Sequence, residues 1–175
     1  DQTNFKPAER IYKEVSCYLN FVDPMFQEDI ASNLAEMMRK LIETNLSPEE
    51  IRDINRIIGP TEGNFILGQL TAKLLKKPFV KMRAQPRVKA DQFWDGDLQS
   101  GHKVIIIHDV TVKADQLIDS INKFPHGVSV YGIFSLVLRK EWKGMEKLKE
   151  AKQRLFYIIG LDDNDIKKLL ESQGR

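Results

Sequence analysis

Lys103-Val104-Ile105-Ile106-Ile107-His108-Asp109-Val110 is the stretch on which the fold turns. Its aliphatic run has no polar face. As a strand it must be covered on both sides, which is the condition of a strand inside a parallel sheet. The segments after it alternate in kind. Residues 114–124 carry Leu117, Ile118 and Ile121 at helical spacing, and residues 127–138 form a second long apolar strand. Residues 141–153 read as a surface helix and residues 155–159 as a strand, and Asp162 caps a last helix carrying Ile166, Leu169 and Leu170.

The alternation also runs upstream. Residues 54–58 are a short strand that ends in the turn-forming cluster Gly59-Pro60-Thr61-Glu62-Gly63-Asn64. A helix over residues 65–76 follows, with Leu67, Leu70, Leu74 and Leu75 as its apolar stripe, and Pro78 ends it. Residues 79–82 are a strand, and residues 84–100 form a long loop without periodicity. Nearer the start, Asp23 caps a long amphipathic helix whose inward face is Phe26, Ile30, Leu34, Met37 and Leu41. Ser47-Pro48-Glu49-Glu50 opens a short helix with a capping box. Strands alternating with helices imply right-handed crossovers. The expected fold is a single α/β domain with a mainly parallel sheet flanked by helices: an α/β core over residues 51–175 behind an N-terminal segment over residues 1–50.

Composition narrows the function classes. The chain has 175 residues, 42% hydrophobic and 30% charged, a globular balance. Lys and Arg number 27 against 25 acids, for a net charge of +2, which speaks against a nucleic-acid partner or an anionic membrane. No apolar run is long enough to span a bilayer. Residues 1–10 are polar, with Phe5 their one large apolar side chain, and carry no signal-peptide pattern. The one cysteine, Cys17, permits no intrachain disulfide and fits a reducing, cytoplasmic setting.

In a parallel sheet ligands bind beyond the carboxyl ends of the strands. Three segments fall there. The turn Gly59 to Asn64 precedes a helix; it is either a phosphate or pyrophosphate cradle or an ordinary β–α turn. Asp109 closes the buried strand; it is placed to bind ribose hydroxyls or a magnesium-bound sugar phosphate, or to cap the next turn. His108 reads as a structural hydrogen-bonder, since His102, His108 and His126 lack metal-ligand spacing. The basic set Lys81, Arg83, Arg87 and Lys89 faces either a phosphate or solvent.

In this order the segments resemble the type I phosphoribosyltransferases, and among them orotate phosphoribosyltransferase. Cys17-Tyr18-Leu19-Asn20-Phe21-Val22-Asp23-Pro24 is similar to the family's N-terminal hood, and Ile57 to Phe65 to its pyrophosphate loop. Pro78 to Arg83 resembles the strand ending in its Arg-Lys pair. Val104 to Asp109, with Gly96 and Gly101 before it, resembles the approach to its phosphoribosyl pyrophosphate (PRPP) motif. Leu138 to Gly144 is similar to a worn Asp-Arg-x-Glu-Gly segment.

The resemblance implies pyrophosphate or phosphate contacts from Gly59, Thr61, Glu62, Gly63, Asn64, Lys81, Arg83, Thr111 and Lys113. It implies catalytic roles for Asp109, Arg87 and Lys89, Mg2+ if the protein is active, and a homodimer. The departures imply impairment. The first acid of the motif is His108, the loop Val112 to Gln116 has no glycine and carries Asp115, and Ala84, Arg87 and Ala90 replace the expected Lys, Lys and Gly. The reading is therefore a relative with impaired or lost PRPP-dependent catalysis that binds a nucleotide, a phosphate or a protein partner. The alternative is an active enzyme of pyrimidine biosynthesis that converts orotate and PRPP to orotidine 5'-phosphate and pyrophosphate.

Overall fold

Ile105, Ile106 and Ile107 are fully buried, and their strand lies in the middle of the sheet. The structure is a computed structural model, which describes residues 19, 21–60, 62–86 and 92–172. Its strands are β1 (Arg56–Gly59), β2 (Phe79–Met82), β3 (Trp94–Asp95), β4 (Lys103–Thr111), β5 (Ser129–Arg139) and β6 (Leu155–Leu161). Its helices are α1 (Val22–Met25), α2 (Glu28–Asn45), α3 (Pro48–Asp53), α4 (Phe65–Leu74), α5 (Asp115–Asn122), α6 (Gly144–Glu150) and α7 (Asp163–Ser172). Among the described residues the strands form a six-stranded sheet in the order β3-β2-β1-β4-β5-β6. Every neighbouring pair is parallel except β2 with β3.

Both faces of the sheet are covered, as the aliphatic run requires. On one face Ile57, Ile105, Ile107 and Phe134 pack with Met38 and Ile42 of α2, Leu67 of α4 and Ile166 of α7. On the other, Ile58, Val80, Met82, Val104, Ile106 and Ile133 pack with Leu117 of α5 and Leu148 of α6. Each large aliphatic side chain so buried stabilises the fold by roughly 1.5–3 kcal/mol.

The structure departs from the expected elements in informative ways. Asp23 lies inside the one-turn helix α1 and is no cap; α2 starts after Gln27, which makes no side-chain cap bond. The core face of α2 is Ala31, Ala35, Met38 and Ile42, whereas Phe26, Ile30 and Met37 are exposed at 76%, 37% and 45%. Periodicity of large side chains passes over the alanines, and it is the alanines that let a helix approach a sheet closely. In α4 the buried residues are Leu67, Gly68, Thr71 and Ala72, and Leu74 faces out.

The capping box of α3 forms as its sequence requires, with Ser47 and Glu50 each accepting from the other's backbone N–H. Leu169 and Leu170 of α7 are exposed, so Ile166 alone of that set is buried. The loop expected over residues 84–100 contains β3, two residues pairing Lys81 with Asp95 and Met82 with Trp94.

Candidate functional site

The carboxyl ends of β1, β2 and β4 bring the sequence candidates to one edge. Register places Gly59 beside Lys81 and Lys81 beside Asp95, a row across three strands. Gly59 has no room for a side chain, since a Cβ there would stand 2.7 Å from Phe79 Cζ. The chain beyond it turns through a 3-10 helix at Glu62–Asn64 into α4. Asn64 is fully buried, and its Oδ1 accepts the Asp109 backbone N–H at 2.7 Å. The glycine turn is thereby fastened to the end of β4, and two segments chosen separately from sequence meet in one bond. Gly63, partly buried, sits in that turn.

At the end of β4, Asp109 Oδ1 accepts the Val110 N–H at 2.8 Å. His108 Nδ1 stands 3.6 Å from the same oxygen. His108 is 8% exposed, and its Nδ1 is buried without a hydrogen-bond partner among the described residues. Burial holds the imidazole below its ordinary pKa, against the opposing pull of the Asp109 charge. An imidazole whose charged form burial disfavours thus stands where the resemblance puts an acid, and among the described residues the structural hydrogen bond expected of His108 is not made at Nδ1.

The cations are arranged less uniformly. Lys81 Nζ lies 5.6 Å from the centre of the Phe65 ring, which is itself edge-on to Phe79. Arg83 follows β2 directly and pairs with Asp95 at 3.0 Å. Lys113 Nζ lies 4.9 Å above the Trp142 ring. Thr111 is fully buried and its hydroxyl donates to Ser135 at 3.1 Å, so that hydroxyl is spent inside the sheet. Thr61, Arg87 and Lys89, together with Ala90 and residues 1–18, lie outside the described residues.

The loop between β4 and α5 is braced from below. Ala114 takes a left-handed conformation, φ 61°, at the entrance to α5. Gly144 packs so tightly that a Cβ there would overlap the Val112 carbonyl oxygen. Asp115, the acid in that loop, pairs with Lys147 at 2.5 Å. Trp142, Lys147 and Asp95 were not singled out in the sequence as site residues. Their roles come from β5–α6 and β2–β3 packing, which no local motif encodes.

Magnesium, implied for an active enzyme by the resemblance, takes hard oxygen ligands, commonly one or two carboxylates with substrate phosphates. Among the described residues no group of three His, Cys, Asp or Glu side chains is gathered. Asp109 has His108 as its neighbour, and Asp95 and Asp115 are engaged by Arg83 and Lys147. Asp109, which pairs with no Lys or Arg among the described residues, is the carboxylate that would hold such an ion, with substrate phosphates supplying further oxygens.

No family model matches the chain, and no curated protein matches its sequence. Solved structures do match its shape. The orotate phosphoribosyltransferase of Aeropyrum pernix superposes with a TM-score of 0.66 at 21% identity, over 90% of this chain and 84% of that one. The UMP synthase of Leishmania donovani gives 0.67 at 19%, over 82% of this chain, which spans only 30% of that protein. The adenine phosphoribosyltransferase of Thermoanaerobacter pseudethanolicus gives 0.61 at 16%, over 87% of this chain and 99% of that one. With its mainly parallel sheet, its glycine turn after β1 and its acid at the end of β4, this chain has the fold of the type I phosphoribosyltransferases.

Proposed function

We propose that this protein binds a phosphoribosyl compound at the carboxyl edge of β1, β2 and β4 and has impaired or lost PRPP-dependent turnover, which leaves it a nucleotide- or phosphate-binding regulatory relative of orotate phosphoribosyltransferase. The observation that carries the reading is the pair His108–Asp109. A buried imidazole, its Nδ1 without a hydrogen-bond partner among the described residues, stands beside the Asp109 carboxylate where the resemblance puts a second acid to hold the bound sugar and its leaving group. Charge stabilisation set in advance is usually the largest part of such a rate enhancement, so losing one acid is felt chiefly in turnover. Gly59, Gly63 and Asn64 supply the backbone cradle. Lys81 and Lys113 supply positive charge, with Arg87 and Lys89 as further cations. Asp109 holds the ribose hydroxyls.

Two measurements on the purified protein test this. Calorimetric titration with PRPP is expected to give saturable heat, and incubation with orotate and PRPP is expected to release no pyrophosphate. Heats equal to dilution would remove the ligand half of the reading; steady pyrophosphate release would remove the catalytic half.

The second reading is an active orotate phosphoribosyltransferase. It draws on the Asn64–Asp109 bond, which keeps the glycine turn and the β4 acid in working proximity. It requires turnover to fall sharply in Asp109→Asn. Under either reading the protein is expected to form a homodimer, which light scattering coupled to gel filtration measures directly, and to work in the cytoplasm. Among the described residues no helix is long and apolar enough to cross a membrane.

A further inference from the structure

We propose that the outer edge of β6 pairs with the β6 edge of a second copy of this chain, antiparallel about Tyr157. The two ends of the sheet differ. β3 is two residues long and carries Asp95, which blunts that end. β6 runs for seven residues, Leu155–Leu161, with no proline and no charged side chain. A long apolar edge of that kind is a template for a further strand. Ile133, level with Leu155, donates its N–H to the Arg154 carbonyl. By the alternation of a parallel ladder, Leu155, Tyr157 and Ile159 then turn their N–H and C=O groups away from β5. Among the described residues no strand lies beyond β6 to meet them.

The chemistry of the strand selects both the occupant and its direction. Ile159 is 47% exposed. Antiparallel pairing about Tyr157 sets Leu155 of the second copy opposite Ile159, and its Ile158 opposite Phe156, so each cross-strand pair from Leu155 to Ile159 is apolar or aromatic. Charge gives the direction. The chain entering β6 carries Lys149, Lys152 and Arg154, and the chain leaving it carries Asp162, Asp163 and Asp165. Arg154 and Asp163 already pair with Glu50 and Arg139, whereas Lys149 and Lys152 are exposed. Antiparallel pairing brings the basic end of each copy to the acidic end of the other, and parallel pairing would bring like to like. A contact made by the same strand from both sides closes at two copies. The homodimer expected above thereby acquires a face, three strands along the sheet from β1 and independent of the ligand assigned there.

The test joins sedimentation velocity with cysteine cross-linking of the full chain. Ile159→Lys puts a charge on the edge at a half-exposed position, and is expected to halve the mass of the assembly seen for the parent. For cross-linking, single cysteines are placed in a Cys17→Ser background and oxidised mildly. Tyr157 faces itself across the two-fold axis, in a hydrogen-bonded pair with Cα atoms about 5.5 Å apart. That lies within disulfide reach, so Tyr157→Cys is expected to form a covalent dimer. Ile159 stands four residues along from its copy, about 13 Å away, so Ile159→Cys is expected to stay uncoupled although it is the more open position. Equal cross-linking of the two variants would overturn the proposal, since antiparallel pairing in this register forbids it. A parent that sediments as a monomer would overturn it and leave the edge to another chain. A mass unchanged by Ile159→Lys, with no cross-link at Tyr157→Cys, would overturn it by placing the dimer contact on another face.

Discussion

At the scale of the residue, His108 links sequence, stability and site. Burial disfavours its charged form, so its folded pKa lies below the 6.5 of the free side chain. The sign of the consequence follows from proton counting. Between the folded and unfolded pKa values the unfolded chain binds more protons, so stability falls as pH falls. The contribution of His108 is complete above about pH 6.5 and drains away as pH drops toward the folded value. Asp53 and Asp97, whose pKa values are lowered by hydrogen bonds from Lys103 and Arg56, lose their contributions only in more acid solution. Thermal melts from pH 7 to pH 5 should therefore show a decline in the parent protein that is flattened in His108→Gln. Each kcal/mol lost lowers the midpoint by about 2–4 °C in a chain of this size. Equal slopes in the two proteins would mean that the imidazole is not what titrates.

At the scale of the element, α2 supplies a sharp contrast between adjacent residues. Met38 is fully buried against the sheet, and Met37 is 45% exposed. Met38→Ala is expected to cost about 2–5 kcal/mol through lost burial and the cavity left behind. Met37→Ala is expected to stay within about 0.5 kcal/mol, as surface changes do. Urea unfolding of the two variants checks the assignment, and equal midpoints would show that the face is wrong. Here the legibility of the sequence also becomes plain. The strand pattern and its alternation with helices were readable because the run at residues 104–107 admits one environment only. The end of β2 at Met82 and the capping box at Ser47 were readable because local chemistry dictates them. The face of α2 was readable in part: Leu34 and Leu41 pack against the core as expected, but Ala31 and Ala35 bury by fitting rather than by hydrophobic bulk. β3 was not readable, because its two residues are held by pairing across to β2 rather than by a pattern of their own. In the site, Asn64 and Asp109 were both picked out, but the bond between them depends on the sheet that brings β1 beside β4.

At the scale of the whole molecule, Arg139 ties the carboxyl end of the sheet together. It closes β5, is 1% exposed, and reaches Glu141 on the way to α6 and Asp163 at the start of α7, the latter at 2.7 Å. The two carboxylates are themselves partly open to water, 23% and 60% exposed. That asymmetry sets the expected order of effects. Removing both carboxylates, in Glu141→Gln with Asp163→Asn, strips a buried guanidinium of two anionic partners, and breaking such an arrangement costs about 3–5 kcal/mol. Arg139→Met removes the buried charge and leaves carboxylates that water can solvate, so it should cost less. Urea midpoints give the order directly; a larger loss in Arg139→Met would show that the aliphatic stem and its packing matter more than the charge. The segment that follows Arg139 also carries Trp142, Gly144 and Lys147, which brace the loop from Val112 to Asp115. Loosening the tie should therefore reach the phosphate edge. The double carboxylate variant, compared at a temperature where it remains folded, is expected to bind PRPP several-fold more weakly than the parent, although neither altered residue is among those assigned to the ligand. Unchanged affinity would mean that the brace is set by the local contacts of Trp142 and Gly144 alone, and that the sheet end and the binding edge are mechanically separate.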